Sequence, residues 1–314
     1  MMKTVEELDY KIKEEYKNIN GMLVMQKGNV VFEQYYNEYS QDDVFHVASV
    51  TKTVISALIG ICIDKGYIKS VDQRVIEFFP KYNVNSSEIT VRHLLTMTAP
   101  YPYADWQEPL EELCTQQDWV KYTLNRIGQG GEIGPFKYSS AGAHLLSAII
   151  TSATRKSARE FANEYLFQPL GMREIPNYNM KAFGFDDLFG KDVKGWVHDP
   201  KGISTGGWGL TLTARDMAKF GRLYLNEGSY DGKQILSKSW VKGSTEMNEN
   251  RYGYLWWLRE ENGVFSYSAM GDGGNVICCV PERELVVVIA SEVIPEAKDR
   301  GELIKEYILP YLKD

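Results

Sequence analysis

The sequence predicts an α+β fold, in which an antiparallel sheet formed from N- and C-terminal segments is flanked by helices and carries a mostly helical inserted lobe. Short apolar runs bounded by turn residues occur near the N-terminus and again in the C-terminal third. Between them the chain shows helical patterns and irregular loops rich in Gly, Pro and aromatic residues. We therefore expect an α/β lobe from residues 1–75 and 241–314 and a mainly helical lobe from 76–240, with a ligand cleft between them.

The N-terminal part of the sheet is predicted to be a hairpin. A charged amphipathic helix over 4–19 precedes two apolar runs, 22–26 and 30–36. The residues that join the runs, 27–29 (Lys-Gly-Asn), favour a turn, so the two strands are expected to pair antiparallel.

Four more strands and a closing helix are predicted in the C-terminal third. The strands are 252–259, 264–268, 275–280 and 285–291, separated by turn-forming residues at 261–263, 271–274 and 281–284. An amphipathic pattern over 298–312 predicts the final helix.

The composition is that of an ordinary globular protein without a nucleic-acid surface. Of 314 residues, 44% are hydrophobic, which is enough to bury a large core. Thirty-five Lys and Arg stand against 42 Asp and Glu, a net charge of −7, and no basic run is long enough to follow a phosphate backbone. We therefore expect no nucleic-acid partner.

Neither a targeting segment nor a membrane span is predicted. The N-terminal residues are charged where a secretory signal needs a continuous apolar stretch, and no segment approaches the roughly 20 apolar residues of a membrane helix. The expectation is a soluble, cytoplasmic protein with no membrane partner.

Cysteines and histidines predict neither disulfides nor a metal site. The four cysteines lack Cys-x-x-Cys spacing and are expected to be buried thiols in a reducing compartment: Cys62, Cys114, Cys278 and Cys279. The four histidines are scattered without metal-ligand spacing: His46, His93, His144 and His198.

The first candidate functional element is Ser49-Val50-Thr51-Lys52, at the head of an apolar segment over 54–63. A serine hydroxyl is inert at neutral pH until a base removes its proton, and a lysine one helical turn further on can reach it. Backbone N–H groups at the start of a buried helix also favour negative charge nearby. Ser49 is thus a candidate nucleophile, and the alternative is a helix N-cap followed by a solvated lysine.

The same spacing occurs a second time, at Ser239 and Lys242, after a turn-like run at 226–232. There the pattern predicts Ser237 or Ser239 as the cap of a short surface helix. Spacing alone therefore does not identify a nucleophile.

The second candidate element is Tyr138-Ser139-Ser140, which follows a Gly- and Pro-containing loop and precedes a predicted helix over 141–154. A phenol close to a lysine ammonium loses its proton more readily and can act as a general base or acid. The Ser140 hydroxyl can bind the lysine or a substrate. Capping of the helix by Ser139 or Ser140 is the alternative.

The third candidate element is the run Gly271-Asp272-Gly273-Gly274, before the strand 275–280. Glycine lets the backbone approach a ligand closely, and an exposed N–H here can form half of an oxyanion hole. A tight hairpin turn is the alternative, because Asp-Gly is a favoured turn pair.

Loop aromatic residues offer a further set of candidates. They either line the cleft or plug the interface between the lobes. The four residues are Tyr101, Tyr103, Trp106 and Trp208.

Taken in this order, the three elements resemble the motifs of the serine β-lactamase and penicillin-binding-protein superfamily, and within it the class C-like β-lactamase-related serine hydrolases. The similarity extends over about residues 20–312 and includes four further segments: 89–98, 169–172, 207–220 and 252–257. The resemblance implies a β-lactamase/transpeptidase-like fold, an acyl-enzyme mechanism and no cofactor.

The resemblance also implies roles for individual residues. Ser49 would be the acylated nucleophile and Lys52 its proton acceptor. Tyr138 would protonate the leaving group and later activate the hydrolytic water. Ser140 stands where β-lactamases of this branch usually have asparagine.

The third motif is where this chain departs from the β-lactamase pattern. The resemblance implies an oxyanion hole made of the backbone N–H groups of Ser49 and Asp272, the latter in a strand at 271–273. β-Lactamases and penicillin-binding proteins have Lys-Thr/Ser-Gly there to bind a substrate carboxylate, whereas this chain has Gly-Asp-Gly. An acidic side chain repels an anionic substrate, so efficient β-lactam hydrolysis is disfavoured. The run is similar to that of esterase and 6-aminohexanoate-dimer hydrolase-like members, and Asp272 is a candidate for binding a substrate amine.

Three functions follow from these residues. The first is a serine hydrolase that acts through an acyl-enzyme on a small ester or amide. The second is a β-lactamase or D,D-peptidase, against which the missing Lys-Thr-Gly run argues. The third is a non-catalytic binding protein on the same fold, against which the intact Ser49, Lys52 and Tyr138 argue. The expected partner is a small-molecule substrate, and the sequence specifies no oligomeric state.

Overall fold

A computed structural model describes residues 5–82, 88–180, 190, 192–310 and 312. The strands are β1 (Ile19–Gln26), β2 (Asn29–Tyr35), β3 (Phe45–His46), β4 (Asn177–Tyr178), β5 (Trp196–Val197), β6 (Thr211–Leu212), β7 (Ser229–Tyr230), β8 (Lys233–Gln234), β9 (Trp257–Glu261), β10 (Val264–Gly271), β11 (Asn275–Val280) and β12 (Leu285–Ser291). Six of them form the central antiparallel sheet, in the order β2-β1-β12-β11-β10-β9. The remaining strands form three two-stranded pairs, β3-β6, β4-β5 and β7-β8.

The two ends of the chain meet inside this sheet. Strand β1 lies between β2 and β12, with Met22 opposite Ile289 and Leu23 opposite Val288. The hairpin near the N-terminus and the sheet built from both termini are therefore confirmed.

Helices cover both faces of the sheet, and loops and short strands connect them. The α-helices are α1 (Val5–Glu15), α2 (Thr51–Asp64), α3 (Val91–Leu95), α4 (Leu110–Cys114), α5 (Trp119–Leu124), α6 (Ser140–Thr154), α7 (Ala158–Ala162), α8 (Ala214–Leu225), α9 (Lys238–Ser244) and α10 (Arg300–Leu303). Short 3₁₀ segments are Ala48–Val50, Val75–Phe78, Asp272–Gly274 and Pro281–Arg283, and π-helical turns are Asn163–Phe167 and Ile304–Ile308.

The inner strands β1, β11 and β12 bury side chains on both faces, which explains their nearly continuous apolar sequences. On β1, Val24 packs with α1 and the C-terminal helix on the outer face, whereas Leu23 belongs to the main core with α2 and α8 on the inner face. On β11, Cys278 belongs to the outer cluster and Cys279 to the inner one. All four cysteines are free and buried, as the sequence predicted.

Outside the candidate site, three predicted elements differ clearly from the observed ones. The strand expected at 252–259 begins only at Trp257, because the chain turns tightly before it: the Gly253 N–H donates to the Trp256 carbonyl at 2.8 Å, and Leu255 has a φ of +64°. The final helix begins at Arg300 and continues as a π-helical turn that ends at Ile308.

The first helix is the third of these differences. It spans Val5–Glu15 and is shorter than the expected 4–19, whose first residue lies outside the described ranges. Part of the loop-rich region expected at 176–210 also lies outside them, at 181–189 and 191.

The main hydrophobic core runs through both predicted lobes. Helix α8 falls within the predicted helical lobe, yet it packs on the sheet, where an added Cβ at Gly221 would lie 2.6 Å from Val286 and 3.0 Å from Ile277. The lobe boundaries at 76 and 240 stay a prediction. Within the described ranges, none of the helices combines the length and apolarity needed to cross a bilayer.

Candidate active site

Ser49 lies in the 3₁₀ segment directly before α2, so the predicted helix start at this residue is two positions early. The preceding residue, Ala48, has a φ of +47°, a left-handed conformation that costs a residue with a side chain about 1–3 kcal/mol. The Thr51 hydroxyl donates to the Ala48 carbonyl at 2.7 Å, and the Ala48 N–H donates to His46 Nδ1 at 3.1 Å. The backbone is thus held on both sides of this strained peptide, and it presents a partly exposed Ser49 side chain.

His46 takes part in this support as a neutral imidazole. Its side chain is buried, and burial lowers the pKa of His46 to about 4. Because Nδ1 accepts the Ala48 N–H, that nitrogen carries no proton. The loop before Ser49 therefore depends on an uncharged histidine.

Lys52 reaches back from the first turn of α2 to the candidate nucleophile. Its side chain is 1% exposed, and its Nζ donates to Ser49 Oγ at 2.9 Å and to the Gly207 carbonyl at 2.7 Å. These bonds fix the amine beside the hydroxyl. To accept the Ser49 proton, the amine must be in its neutral form, with a lone pair free.

Tyr138 completes a group of three side chains. Lys52 Nζ lies 4.7 Å from the centroid of the Tyr138 ring and so contacts the face of the phenol as well as the Ser49 hydroxyl. The structure therefore brings Tyr138 to Ser49 and Lys52, which lie more than 80 positions earlier in the sequence.

Aromatic rings surround Tyr138. Trp106 and Trp257 lie nearly parallel to it, with centroids 4.7 Å and 6.0 Å away, and Tyr252 meets it edge-on. Such contacts restrict the movement of the phenol and keep water from much of its surface.

Of the four candidate loop aromatics, Trp106 is the one most exposed to solvent. Tyr101 and Trp208 are buried at 2% exposure, and Tyr103 is half-buried. Trp106 is 64% exposed and has a φ of +61°, so the loop holds a solvent-facing indole against Tyr138. Tyr101 and Trp208 therefore pack in the protein interior and do not line a ligand cleft, and their place at an interface between lobes stays a prediction.

Two carboxylates on the loop before α4 hold the backbone of the Tyr-Ser-Ser motif. The Tyr138 N–H donates to Asp105 Oδ1 at 2.9 Å. Glu108 accepts from the Ser140 N–H at 2.6 Å and from the Ser139 hydroxyl at 2.9 Å. A carboxylate at a helix N-terminus is favoured by the unpaired N–H groups there, so Glu108 helps to fix the start of α6.

The serines of this motif take different positions. Ser139 is the N-cap of α6, since its hydroxyl accepts from the Gly142 N–H at 2.9 Å. Ser140 is the first residue of the helix, and an added Cβ at Gly207 would lie 2.8 Å from its Cβ. Ser140 therefore packs against Gly207, whose carbonyl accepts the hydrogen bond from Lys52.

The glycine-rich run lies beside Ser49. Strand β10 ends at Gly271, and Asp272–Gly274 forms a 3₁₀ turn, so the expected strand at 271–273 is mostly turn. An added Cβ at Gly271 would lie 2.3 Å from the Val47 carbonyl oxygen and 3.0 Å from the Ser49 nitrogen. Glycine is therefore required here by the close contact with the backbone of Val47 and Ser49. The Asp272 side chain is exposed.

The second Ser-x-x-Lys sequence has no comparable surroundings. It lies in α9, where the Ser237 hydroxyl accepts from the Trp240 N–H at 3.3 Å and Ser239 Oγ donates to Ser237 Oγ at 3.3 Å. Lys242 is exposed. The prediction of a capped surface helix is confirmed.

Several supporting residues were not found by sequence reasoning. The strained Ala48, the Gly207 carbonyl and the two carboxylates at Asp105 and Glu108 contact the site through the backbone. Backbone contacts of this kind leave no residue-type pattern. The one available signal was the density of Gly, Pro and aromatic residues at 99–110, which marks a structured loop.

The volume of a cavity does not identify the candidate active site at Ser49. A cavity of about 830 Å³ lies on the outer face of the sheet, lined by residues such as Val264, Ser268 and Ile304, and it contains none of Ser49, Lys52 and Tyr138. Convergence of polar side chains distinguishes the Ser49 site. The described residues hold no group of three or more His, Cys, Asp or Glu side chains suited to a metal ion.

The arrangement is suited to acyl transfer. The Ser49 hydroxyl lies beside an amine that also contacts a phenol ring, and the backbone of a glycine-rich turn lies against the backbone of Ser49. An antiparallel sheet covered by helices on both faces, with Ser-x-x-Lys at the head of a buried helix, defines the class of β-lactamase and transpeptidase-like proteins.

Comparison with known proteins identifies the family. The Beta-lactamase family model matches residues 11–308, so the chain belongs to this hydrolase family. The chain is 25% identical over 301 residues to the 6-aminohexanoate-dimer hydrolase of Paenarthrobacter ureafaciens, a match that covers 86% of this chain and 71% of that protein.

Solved structures confirm the predicted fold. The penicillin-binding protein of Bacillus halodurans matches with a TM-score of 0.70 at 17% identity, covering 97% of this chain and 98% of that one. EstCE1, a hydrolase with promiscuous acyltransferase activity, matches with a TM-score of 0.68 at 17% identity, covering 95% of each chain. Identities this low establish the fold alone.

Proposed function

We propose that the protein is a serine hydrolase that cleaves a small ester or amide through an acyl-enzyme on Ser49. The observation that carries the proposal is the position of Lys52, whose Nζ is 2.9 Å from Ser49 Oγ and 4.7 Å from the Tyr138 ring centroid. A hydroxyl beside a base that a third group orients is the usual arrangement of an activated nucleophile.

In the proposed reaction, Ser49 Oγ attacks the substrate carbonyl carbon while its proton passes to Lys52 or Tyr138. The N–H groups of Ser49 and Asp272 bind the oxyanion that forms. Collapse of this intermediate expels the alcohol or amine, which takes a proton from Tyr138. Water, deprotonated by the same residues, then releases the carboxylic acid and regenerates Ser49.

The exposed Asp272 bears on the substrate class. A carboxylate next to the scissile bond repels an anionic group and attracts a cationic one, which favours neutral or amine-bearing substrates. The similarity to a 6-aminohexanoate-dimer hydrolase supports a linear amide as one candidate. We take the substrate to be a small cytoplasmic molecule, processed without a cofactor.

Family membership favours one second candidate, a β-lactamase or D,D-peptidase, because penicillin-binding proteins share this fold. The Gly-Asp-Gly run in place of Lys-Thr/Ser-Gly argues against it. A non-catalytic binding protein on the same fold is the remaining alternative.

Turnover assays separate these functions. Purified protein is incubated with p-nitrophenyl acyl esters, a linear amide and a chromogenic cephalosporin, next to the variants Ser49→Ala and Tyr138→Phe. We expect hydrolysis of short-chain esters, its loss in Ser49→Ala, a strong reduction in Tyr138→Phe, and little cephalosporin hydrolysis.

Ser239→Ala is the matched control, because it changes the other Ser-x-x-Lys serine. It should retain full activity. Rapid cephalosporin turnover would favour the second candidate, and turnover of none of the substrates would favour the binding protein.

A further inference from the structure

The turn that lies beside Ser49 is held from its far side by side-chain donors. Asn275 Nδ2 donates to the Asp272 carbonyl at 2.8 Å. The Gly273 carbonyl accepts from Asn18 Nδ2 at 2.7 Å and from a terminal nitrogen of Arg300 at 3.0 Å. Two successive carbonyls of the turn are therefore fixed by residues from three different parts of the chain.

Fixing these carbonyls also fixes the N–H groups of the turn. In a trans peptide the N–H and C=O point in opposite directions, so the held Asp272 and Gly273 carbonyls set the directions of the Gly273 and Gly274 N–H groups. The Asp272 N–H, the proposed oxyanion donor, belongs to the preceding peptide, and it is positioned through the fixed backbone that follows it. An oxyanion hole depends on that direction, because its donors must meet the developing charge at hydrogen-bond distance.

Arg300 is an unusual residue for this task. It is 2% exposed, begins helix α10, and donates to Asn18 Oδ1 at 2.8 Å, to Ser291 Oγ at 3.3 Å and to the Lys298 carbonyl at 2.8 Å, besides Gly273. Within the described ranges it forms no ion pair with a carboxylate. Burial lowers the pKa of Arg300 to about 10, so the group is still a cation at neutral pH.

A buried cation without a direct ion pair is costly, even though the Asp299 charge and the Tyr16 ring, 5.1 Å from Arg300 Cζ, offset part of the cost. An apolar side chain would fill the same space at lower cost. What an apolar residue cannot supply is the set of donors toward Gly273, Asn18 and Ser291. We therefore take the presence of a guanidinium here to mean that the turn and its neighbours need these hydrogen bonds.

The turn is shaped to admit this guanidinium. Gly274 has a φ of +82°, and an added Cβ there would lie 2.5 Å from Arg300 Nε and 2.7 Å from its Cζ. Any other residue at this position would displace the arginine. Gly274 thus leaves the space that the Arg300 side chain occupies, whereas Gly271 allows the turn to approach the backbone of Ser49.

We propose that Arg300 is a positioning residue for the oxyanion hole: it fixes the Gly273 carbonyl and thereby the backbone of the turn that lies beside Ser49. This inference rests on the proposed function, since it assigns a role in stabilising the oxyanion of that reaction. Arg300 itself contacts no substrate and takes no proton. Its effect passes through the main chain of residues 271–274.

The test compares Arg300→Met with Arg300→Lys, using p-nitrophenyl acetate and the corresponding thionoacetate. Sulfur accepts hydrogen bonds from an oxyanion hole poorly, so a well-aligned hole favours the oxygen ester and a misaligned one loses that preference. We expect kcat for the oxygen ester to fall about 100-fold in Arg300→Met, with KM changed less than threefold. The oxo/thiono rate ratio should fall about tenfold, and Arg300→Lys should recover part of both.

Arg283→Met is the matched control, because Arg283 also donates to a main-chain carbonyl, that of Leu309, at 3.1 Å but does not contact the turn. It should keep the wild-type rate ratio. If Arg300→Met fails to fold, Asn18→Ala removes the other donor to Gly273 and should shift the ratio in the same direction by a smaller factor.

The outcomes separate this inference from the proposed function. An active wild type combined with an unchanged oxo/thiono ratio in folded Arg300→Met, or in Asn18→Ala where that variant is needed, overturns the positioning role alone. A wild type that hydrolyses neither these esters nor a linear amide overturns the proposed function and the positioning role together.

Discussion

Two regions of this chain carry the same Ser-x-x-Lys spacing, and they differ in nearly everything else. At Ser49 the lysine is buried and bonded to the serine, a strained alanine precedes the pair, and a tyrosine and a glycine turn contact them. At Ser239 the serine belongs to a capped surface helix and the lysine is exposed. Surroundings supplied by distant segments, and not spacing, make a candidate nucleophile.

The two regions also touch. Helix α2, which follows Ser49, packs against α9, where an added Cβ at Gly60 would lie 2.6 Å from the Trp240 ring. Matching substitutions in the two regions therefore disturb the same part of the fold. A larger loss of activity on the Ser49 side then reports on the candidate active site.

The largest difference should come from the two lysines. Lys52→Met should lower kcat/KM for ester hydrolysis by about 10³-fold, because it removes the base beside Ser49. Lys242→Met should leave kcat/KM within twofold. Steady-state kinetics on both variants decide the matter, and similar losses in the two variants would remove the distinction between the regions.

The second prediction concerns the pH dependence of stability in the Ser49 region, where a buried His46 supports the loop. A pKa of about 4 for His46 in the folded chain, against 6.5 in the unfolded chain, means that the unfolded state binds a proton more readily between these values. The contribution of the neutral His46 to the free energy of unfolding is therefore fully present above pH 6.5. It decreases by about 3 kcal/mol as the pH falls to 4.

His46→Asn removes that titration while Oδ1 can still accept the Ala48 N–H. Urea unfolding at several pH values should show a flatter dependence in the variant by about this amount. Parallel curves for wild type and variant would show that His46 is not the buried neutral group described above.

The third difference is between two glycines. Gly271→Ala would place a methyl group 2.3 Å from the Val47 carbonyl oxygen, and the resulting backbone shift next to Ser49 should lower kcat/KM about 100-fold. Gly243→Ala, in α9, meets nothing closer than 3.7 Å and should raise stability by up to about 1 kcal/mol. Kinetics and urea unfolding measure the two effects, and near-normal activity of Gly271→Ala would contradict the close approach.

The fold was largely predictable because its main signals are local. Apolar runs and turn residues place the hairpin and three of the four C-terminal strands, and the apolar pattern after Lys52 places α2. The failures are equally physical. The tight turn before Trp257 and the early end of the final helix depend on backbone hydrogen bonds that residue types do not show.

The candidate site was predictable only in part. Ser49, Lys52 and Tyr138 carry side-chain chemistry in recognisable motifs, and the structure brings them together. Glu108 and Arg300 lie far from those motifs in sequence and act on main-chain groups, so no spacing indicates them. The glycines were noticed, but their partners, a backbone and a guanidinium, became visible only in three dimensions.

The most direct test of the central claim is to locate the covalent adduct. The protein is treated with a fluorophosphonate, digested, and analysed by mass spectrometry for modified peptides. A single adduct on the peptide containing Ser49, absent in Ser49→Ala and unchanged in Ser239→Ala, is the expected result. No adduct, or an adduct on Ser239, would contradict the assignment of Ser49 as the nucleophile.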